Sequence, residues 1–167
     1  MPDMPHATFP TPLGDCAIAW AGTALTGFSL PGSGLRFPSD EAAEPPPWVA
    51  AIVARVQRHL AGAPQDFSDV AYDFSRVPAF NRRVLRATLA VKSGHTATYG
   101  EIAAAMGEPV AASRGVGAAL GANRWPLLIP CHRITGAGGR MTGFSGPGGV
   151  ATKVKLLALE GAQLFAD

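Results

Sequence analysis

Cys131 and His132, adjacent in the run Pro130, Cys131, His132 and Arg133, are the residues best suited to chemistry. A thiol beside an imidazole suggests a thiolate nucleophile with a nitrogen base. Neighbouring side chains on extended backbone point to opposite faces, so the two cannot pair unless the chain turns or a water bridges them. Pro130 restricts φ and makes a turn feasible, and both routes stay open. A carboxylate would then be needed to orient the imidazole. The plainer alternative is an inert, buried Cys next to a packed His. The other cysteine, Cys16, forms no CxxC or zinc-finger spacing with Cys131. Both thiols are expected to be free, and neither a metal nor a cofactor is expected.

Several elements would have to position that pair. Residues 15–20 and 25–30 read as short strands joined by a turn at 21–24, a hairpin. Residues 1–14, rich in Pro and polar groups, read as a loose tail. Val49, Ile52, Val53, Val56 and Leu60 mark one face of a helix over 48–60, ended at Gly62. Residues 65–76 read as short extended segments. From Pro78 the character changes. Phe80, Val84, Leu85 and Leu89 predict a helix over 80–89, and Thr98 with Glu101 three residues on predicts a capped helix running to about Met106. A second short helix from Ala111 or Ser113 to Leu120, after the break at Gly107, makes a helix-turn-helix arrangement or an ordinary helix hairpin. Leu127–Ile129 reads as a short strand-like run, 135–142 and 143–149 as glycine-rich loops, and 152–160 as a last amphipathic helix ended by Gly161.

The bulk composition narrows the class. Apolar residues are 47% of the 167, enough for a buried core, and charged residues only 16%. Charge is uneven. Residues 1–77 hold four basic and eight acidic groups, and 78–167 hold ten basic and four acidic. The second half would suit a polyanion. No apolar run approaches the roughly 20 residues of a membrane span, and the first residues lack a signal-peptide pattern, so a cytoplasmic chain with reduced thiols is expected.

Four segments in order resemble the methylated-DNA–protein-cysteine methyltransferases: Thr98 to Ile102, Arg114 to Asn123, Leu128 to Ile134 and Leu156 to Gly161. The match extends over 78–161 and is loose before it. The resemblance implies an α+β fold, with a ribonuclease-H-like structural domain at 15–76 and a mostly helical DNA-binding and alkyl-acceptor domain at 78–167. It implies single-turnover transfer of an alkyl group from O6 of guanine to Cys131, with His132 acting through a water, Glu160 orienting His132, and Asn123 bracing the turn. It implies that Arg114 enters the duplex where the target nucleotide leaves the stack, with Gly115, Gly117 and Ala118 forming a helix slim enough for the minor groove. Tyr99, Ile134, Phe144 and Ser145 would line the base pocket, Tyr99 or Ser145 supplying a donor to the leaving oxygen. The implied partner is double-stranded DNA carrying alkylated guanine, bound by a monomer, with no membrane.

Two departures from the family pattern stand out: one extra residue between Tyr99 and Arg114, and a longer loop at 145–149. Arg133 reads as structural. A damage-binding relative without an acceptor is disfavoured by Cys131. A fused transcription regulator is disfavoured by length, and a thiol hydrolase by the lack of an oxyanion-hole motif.

Overall fold

A computed structural model describes residues 5–32, 43–139 and 149–162. The first half is built on an antiparallel sheet of order β1 (His6–Thr11), β2 (Gly14–Ala21) and β3 (Ala24–Ser29). β2 is central, so Cys16, Ile18 and Trp20 are all buried. The loose tail expected over 1–14 is therefore wrong for its second half. Ala7 and Phe9 alternate inward, and Pro10 is tolerated because β1 is an edge strand that leaves one side unpaired. The 15–30 hairpin forms as expected, with a register shift between Ala19 and Trp20.

α1 (Pro47–Leu60) starts with Pro at its first position, where the missing N–H is no loss. It buries Val49, Ile52, Val56, His59 and Leu60 on one stripe. The extended stretch after it docks beside β3, where Leu25 N–H donates to Ala71 O at 2.8 Å and Asp73 N–H donates to Leu25 O at 2.8 Å.

The second half is mainly helical: α2 (Ala79–Leu89), α3 (Tyr99–Ala105), α4 (Ser113–Gly121) and α5 (Gly149–Leu159). The capping box expected at α3 is present. Glu101 N–H donates to Thr98 Oγ1 at 3.0 Å, and Thr98 N–H donates to Glu101 Oε1 at 2.9 Å. Gly107, at φ 78°, stops α3 in a conformation that suits glycine. Arg83 of α2 donates to Met106 O at 2.6 Å, tying that stop to the neighbouring helix. A single 3-10 turn, Val110–Ala112, leads into α4.

The strand-like run expected at Leu127–Ile129 is instead a tight buried turn. Leu127 has φ 78°, uncommon for a residue with a side chain, and Ile129 N–H returns to Trp125 O at 2.9 Å. The two halves share one apolar core. Trp125 Nε1–H donates to Leu25 O at 3.1 Å, Phe28 N–H donates to Arg124 O at 2.9 Å, and Tyr72 and Phe74 meet the Trp125 ring edge-on. Among the described residues, no helix is long and apolar enough to cross a membrane.

Candidate active site

Pro130 does bend the chain. Cys131–Arg133 forms a 3-10 turn, so Cys131 and His132 do not lie on extended backbone. Asn123 braces the approach from both ends of its amide: Oδ1 accepts from Trp125 N–H at 2.9 Å, and Nδ2 donates to Ile129 O at 3.0 Å. Those two bonds span the turn in which Leu127 takes its strained φ. Immediately after the 3-10 turn, β5 (Ile134–Thr135) runs parallel to β4 (Ala97–Thr98). This short pairing fixes Tyr99, the first residue of α3, relative to Cys131 four residues before Thr135.

Cys131 is buried, and so is His132, at 6% and 0% exposure. The carboxylate that meets the imidazole is Glu160, one residue past α5. Its Oε2 lies 2.8 Å from His132 Nε2. A carboxylate only accepts, so the hydrogen is on Nε2 and a neutral His132 carries its lone pair on Nδ1. Among the described residues Nδ1 has no hydrogen-bond partner. It is a buried, unengaged base on the residue next to the thiol.

The electrostatics agree with this assignment. Burial pushes the Cys131 thiol up, and Asn123 and the Lys153 charge offset only part of that. Burial pushes His132 below its ordinary value, against the pull of Glu160. At neutral pH the resting pair is therefore thiol and neutral imidazole, and a proton must move for sulfur to become a nucleophile. Burial would raise Glu160, but hydrogen bonds from His132, His59 and Arg133 outweigh it and hold the carboxyl well below the usual range.

Three residues here went unnoticed as contributors in the sequence. Arg133, read as structural, forks onto Glu160, with Nε to Oε1 and Nη2 to Oε2 both at 2.9 Å, and its Nη1 donates to Val91 O at 2.7 Å. His59 reaches across from α1 to the same Glu160 oxygen at 2.8 Å. Lys153, buried at 1% exposure, donates to Ile134 O at 2.5 Å; burial lowers it, and the Cys131 sulfur opposes this only once it is a thiolate. A cationic Lys on an apolar helix face, and a His on another, were the available signals.

The surface next to this site is formed by α4. Arg114, Gly115 and Ala118 are exposed along one side, and Gly117 is half-buried. A Cβ on Gly117 would sit 3.9 Å from Tyr99 Cε1, so the Tyr99 ring lies against the small-residue helix. Arg114 has no ion pair among the described residues. Ile134 is fully buried. Phe144 and Ser145, with the loop at 143–148, lie outside the described residues.

Residues 79–162 match the family described as 6-O-methylguanine DNA methyltransferase, DNA binding domain. A methylated-DNA–protein-cysteine methyltransferase of Mycobacterium bovis is 36% identical over 97% of this chain and 95% of its own length. The chain belongs to the methylated-DNA–protein-cysteine methyltransferases. A second relative with that name, from Methanothermobacter thermautotrophicus, is 32% identical over 92% of this chain and 83% of its own. A crystal structure of Mycobacterium tuberculosis OGT in complex with DNA is similar in fold, with a TM-score of 0.79 and 36% identity. It covers 93% of this chain, which covers 92% of it. The α+β architecture expected for a methyltransferase of this family is the one observed.

Proposed function

We propose that this methyltransferase repairs DNA by direct reversal, moving an alkyl group from O6 of guanine onto Cys131 in one irreversible turnover. The observation that carries the reading is the buried sequence of Cys131, the unengaged His132 Nδ1, and Glu160 locking Nε2–H, within a chain of this family. His132 takes the thiol proton, directly or through a water, and Glu160 stabilises the imidazolium. Sulfur attacks the alkyl carbon, the S–C bond forms as the C–O6 bond breaks, and the electron pair leaves on the guanine oxygen. The proton returns to guanine. Tyr99 or Ser145 supplies a hydrogen bond to the leaving base. The thioether is stable, and no group among the described residues of the site offers a route to reverse it.

The lesion lies inside a duplex, so the target nucleotide must leave the stack at a cost of about a few kcal/mol. α3 and α4 act as the helix-turn-helix. The exposed, low-bulk face of α4, with Gly115, Gly117 and Ala118, suits a minor groove, and Arg114 at its start occupies the gap in the stack. The N-terminal half, from β1 through residue 76, forms the ribonuclease-H-like structural domain and 78–167 the reactive one. The protein works as a cytoplasmic monomer.

The test is intact-mass measurement after incubation with duplex DNA containing O6-methylguanine, followed by peptide mapping. One added methylene per chain, on the Cys131 peptide and absent from Cys131→Ser, is expected. Tight binding of the duplex with no mass gain would instead indicate a damage-binding module.

A further inference from the structure

The mechanism above leaves one buried imidazole unused. His59, on α1, is 1% exposed and 101 residues away in sequence from Glu160, yet its Nε2 lies 2.8 Å from Glu160 Oε2. Its tautomer is fixed by its other nitrogen. Gln65 N–H donates to His59 Nδ1 at 2.9 Å, so Nδ1 is an acceptor and the hydrogen is on Nε2, aimed at the carboxylate. Phe67 lies against the ring, with centroids 5.6 Å apart, which limits rotation. Glu160 Oε2 therefore receives three donors: His59 Nε2, His132 Nε2 and Arg133 Nη2. Donors on one oxygen compete for its electron density, so each weakens the others' hold.

We propose that His59 is a positioning residue for alkyl transfer: by occupying the same Glu160 oxygen as His132, it anchors the carboxylate from α1 and limits how strongly that carboxylate draws His132. Its action on Cys131 is indirect, through Glu160 and then His132. Among the described residues, the charged or titratable groups around the pair are Arg133 on Glu160, and Cys131 with Lys153 beside the turn. His59 is thus the link by which the N-terminal half sets the acidity range over which the nucleophile can be activated. The transfer part rests on the proposed function.

The test compares wild type with His59→Phe and His59→Gln. Gln can return a donor near the Nε2 position, and Phe cannot. Single-turnover transfer of a methyl group from an O6-methylguanine duplex is followed against pH, and the His132 imidazole is titrated by NMR without DNA. In His59→Phe, the acid limb of the rate profile and the His132 titration should move up together by about half a pH unit, roughly threefold in rate at a fixed acidic pH. His59→Gln should return both toward wild type. Folded His59→Phe with both curves unmoved overturns the proposal, as does folded His59→Gln that behaves like His59→Phe. Should His59→Phe fail to fold, the wild type decides by long-range proton–nitrogen correlation. A hydrogen on His59 Nε2 is expected, and one on Nδ1 overturns the assignment. The imidazole readouts need no DNA, so absence of transfer in the wild type would sink the proposed function while leaving this inference testable.

Discussion

In the proposed mechanism His132 and Glu160 divide the chemistry between a base and the group that orients it, and each can be removed separately. His132→Gln keeps a donor where Nε2–H meets Glu160 but has no lone pair in place of Nδ1. Because burial holds the Cys131 thiol up, the loss of base is felt fully at neutral pH. The single-turnover rate should fall by about 10²- to 10⁴-fold at pH 7 and recover as the pH is raised and the thiol ionises unaided. A rate that is low but flat with pH would mean that His132 does not take the proton. Glu160→Gln asks a different question, because it leaves the Arg133 guanidinium buried without its anion. Unfolding in urea at pH 7 should show a loss of about 3–5 kcal/mol. The sign with pH follows from the lowered carboxyl of Glu160. Its stabilisation is present above the unfolded value, about 4.3, and is lost as pH falls through the folded one. The gap between wild type and Glu160→Gln should therefore narrow below about pH 4. Of these residues, Cys131 and His132 stand out in the sequence as a thiol beside an imidazole, whereas Glu160 and Asn123 were implied only by the family resemblance. His59 was not, since its role exists only once α1 and the end of α5 are brought together.

At the scale of elements, local signals were the legible ones. The α3 cap is written in Thr98 and Glu101 because both partners lie within one turn. β1 was missed because Pro10 and short polar residues resemble a tail, and only pairing with β2 makes it a strand. The Leu127 turn was missed because a positive φ at a leucine has no local cause. Asn123, reaching over it to Ile129 O, supplies the restraint from outside. The α3 start also leads into the site through Tyr99, so Thr98→Ala should lower stability by about 1 kcal/mol. Within α4, glycine lowers helix stability by about 0.8–1.0 kcal/mol relative to alanine. Whether alanine recovers it depends on space. A Cβ at Gly117 would make ordinary contact with Tyr99 at 3.9 Å, whereas one at Gly115 would meet the Phe80 ring at 3.3 Å. Thermal unfolding should therefore show Gly117→Ala more stable than wild type, and Gly115→Ala gaining less or nothing. Equal gains at both positions would mean that Phe80 moves aside freely.

For the molecule as a whole, the boundary near residue 77 marks a change in composition and charge without marking a break in the core. Sequence could show the first, because Arg and Lys are counted along the chain. It could not show the second, because Trp125 reads simply as one apolar residue in a loop. In the fold it is fully buried, its indole donates to Leu25 of β3, and two aromatic rings from the intervening segment meet its edge. Asp73 N–H also donates to Leu25 O, so removing the indole leaves that carbonyl paired. The loss in Trp125→Ala is then mainly one of packing, and should be about 3–5 kcal/mol. The location of that loss makes it informative. With the shared core intact, amides of β2 and of α4 should exchange hydrogen with similar opening free energies, as one cooperative unit. In Trp125→Ala the sheet and the helices lose their common wedge, and the two sets of amides should separate. If they already differ by several kcal/mol in the wild type, the halves are independent. The anchor that His59 places on Glu160 would then come and go with local opening of α1.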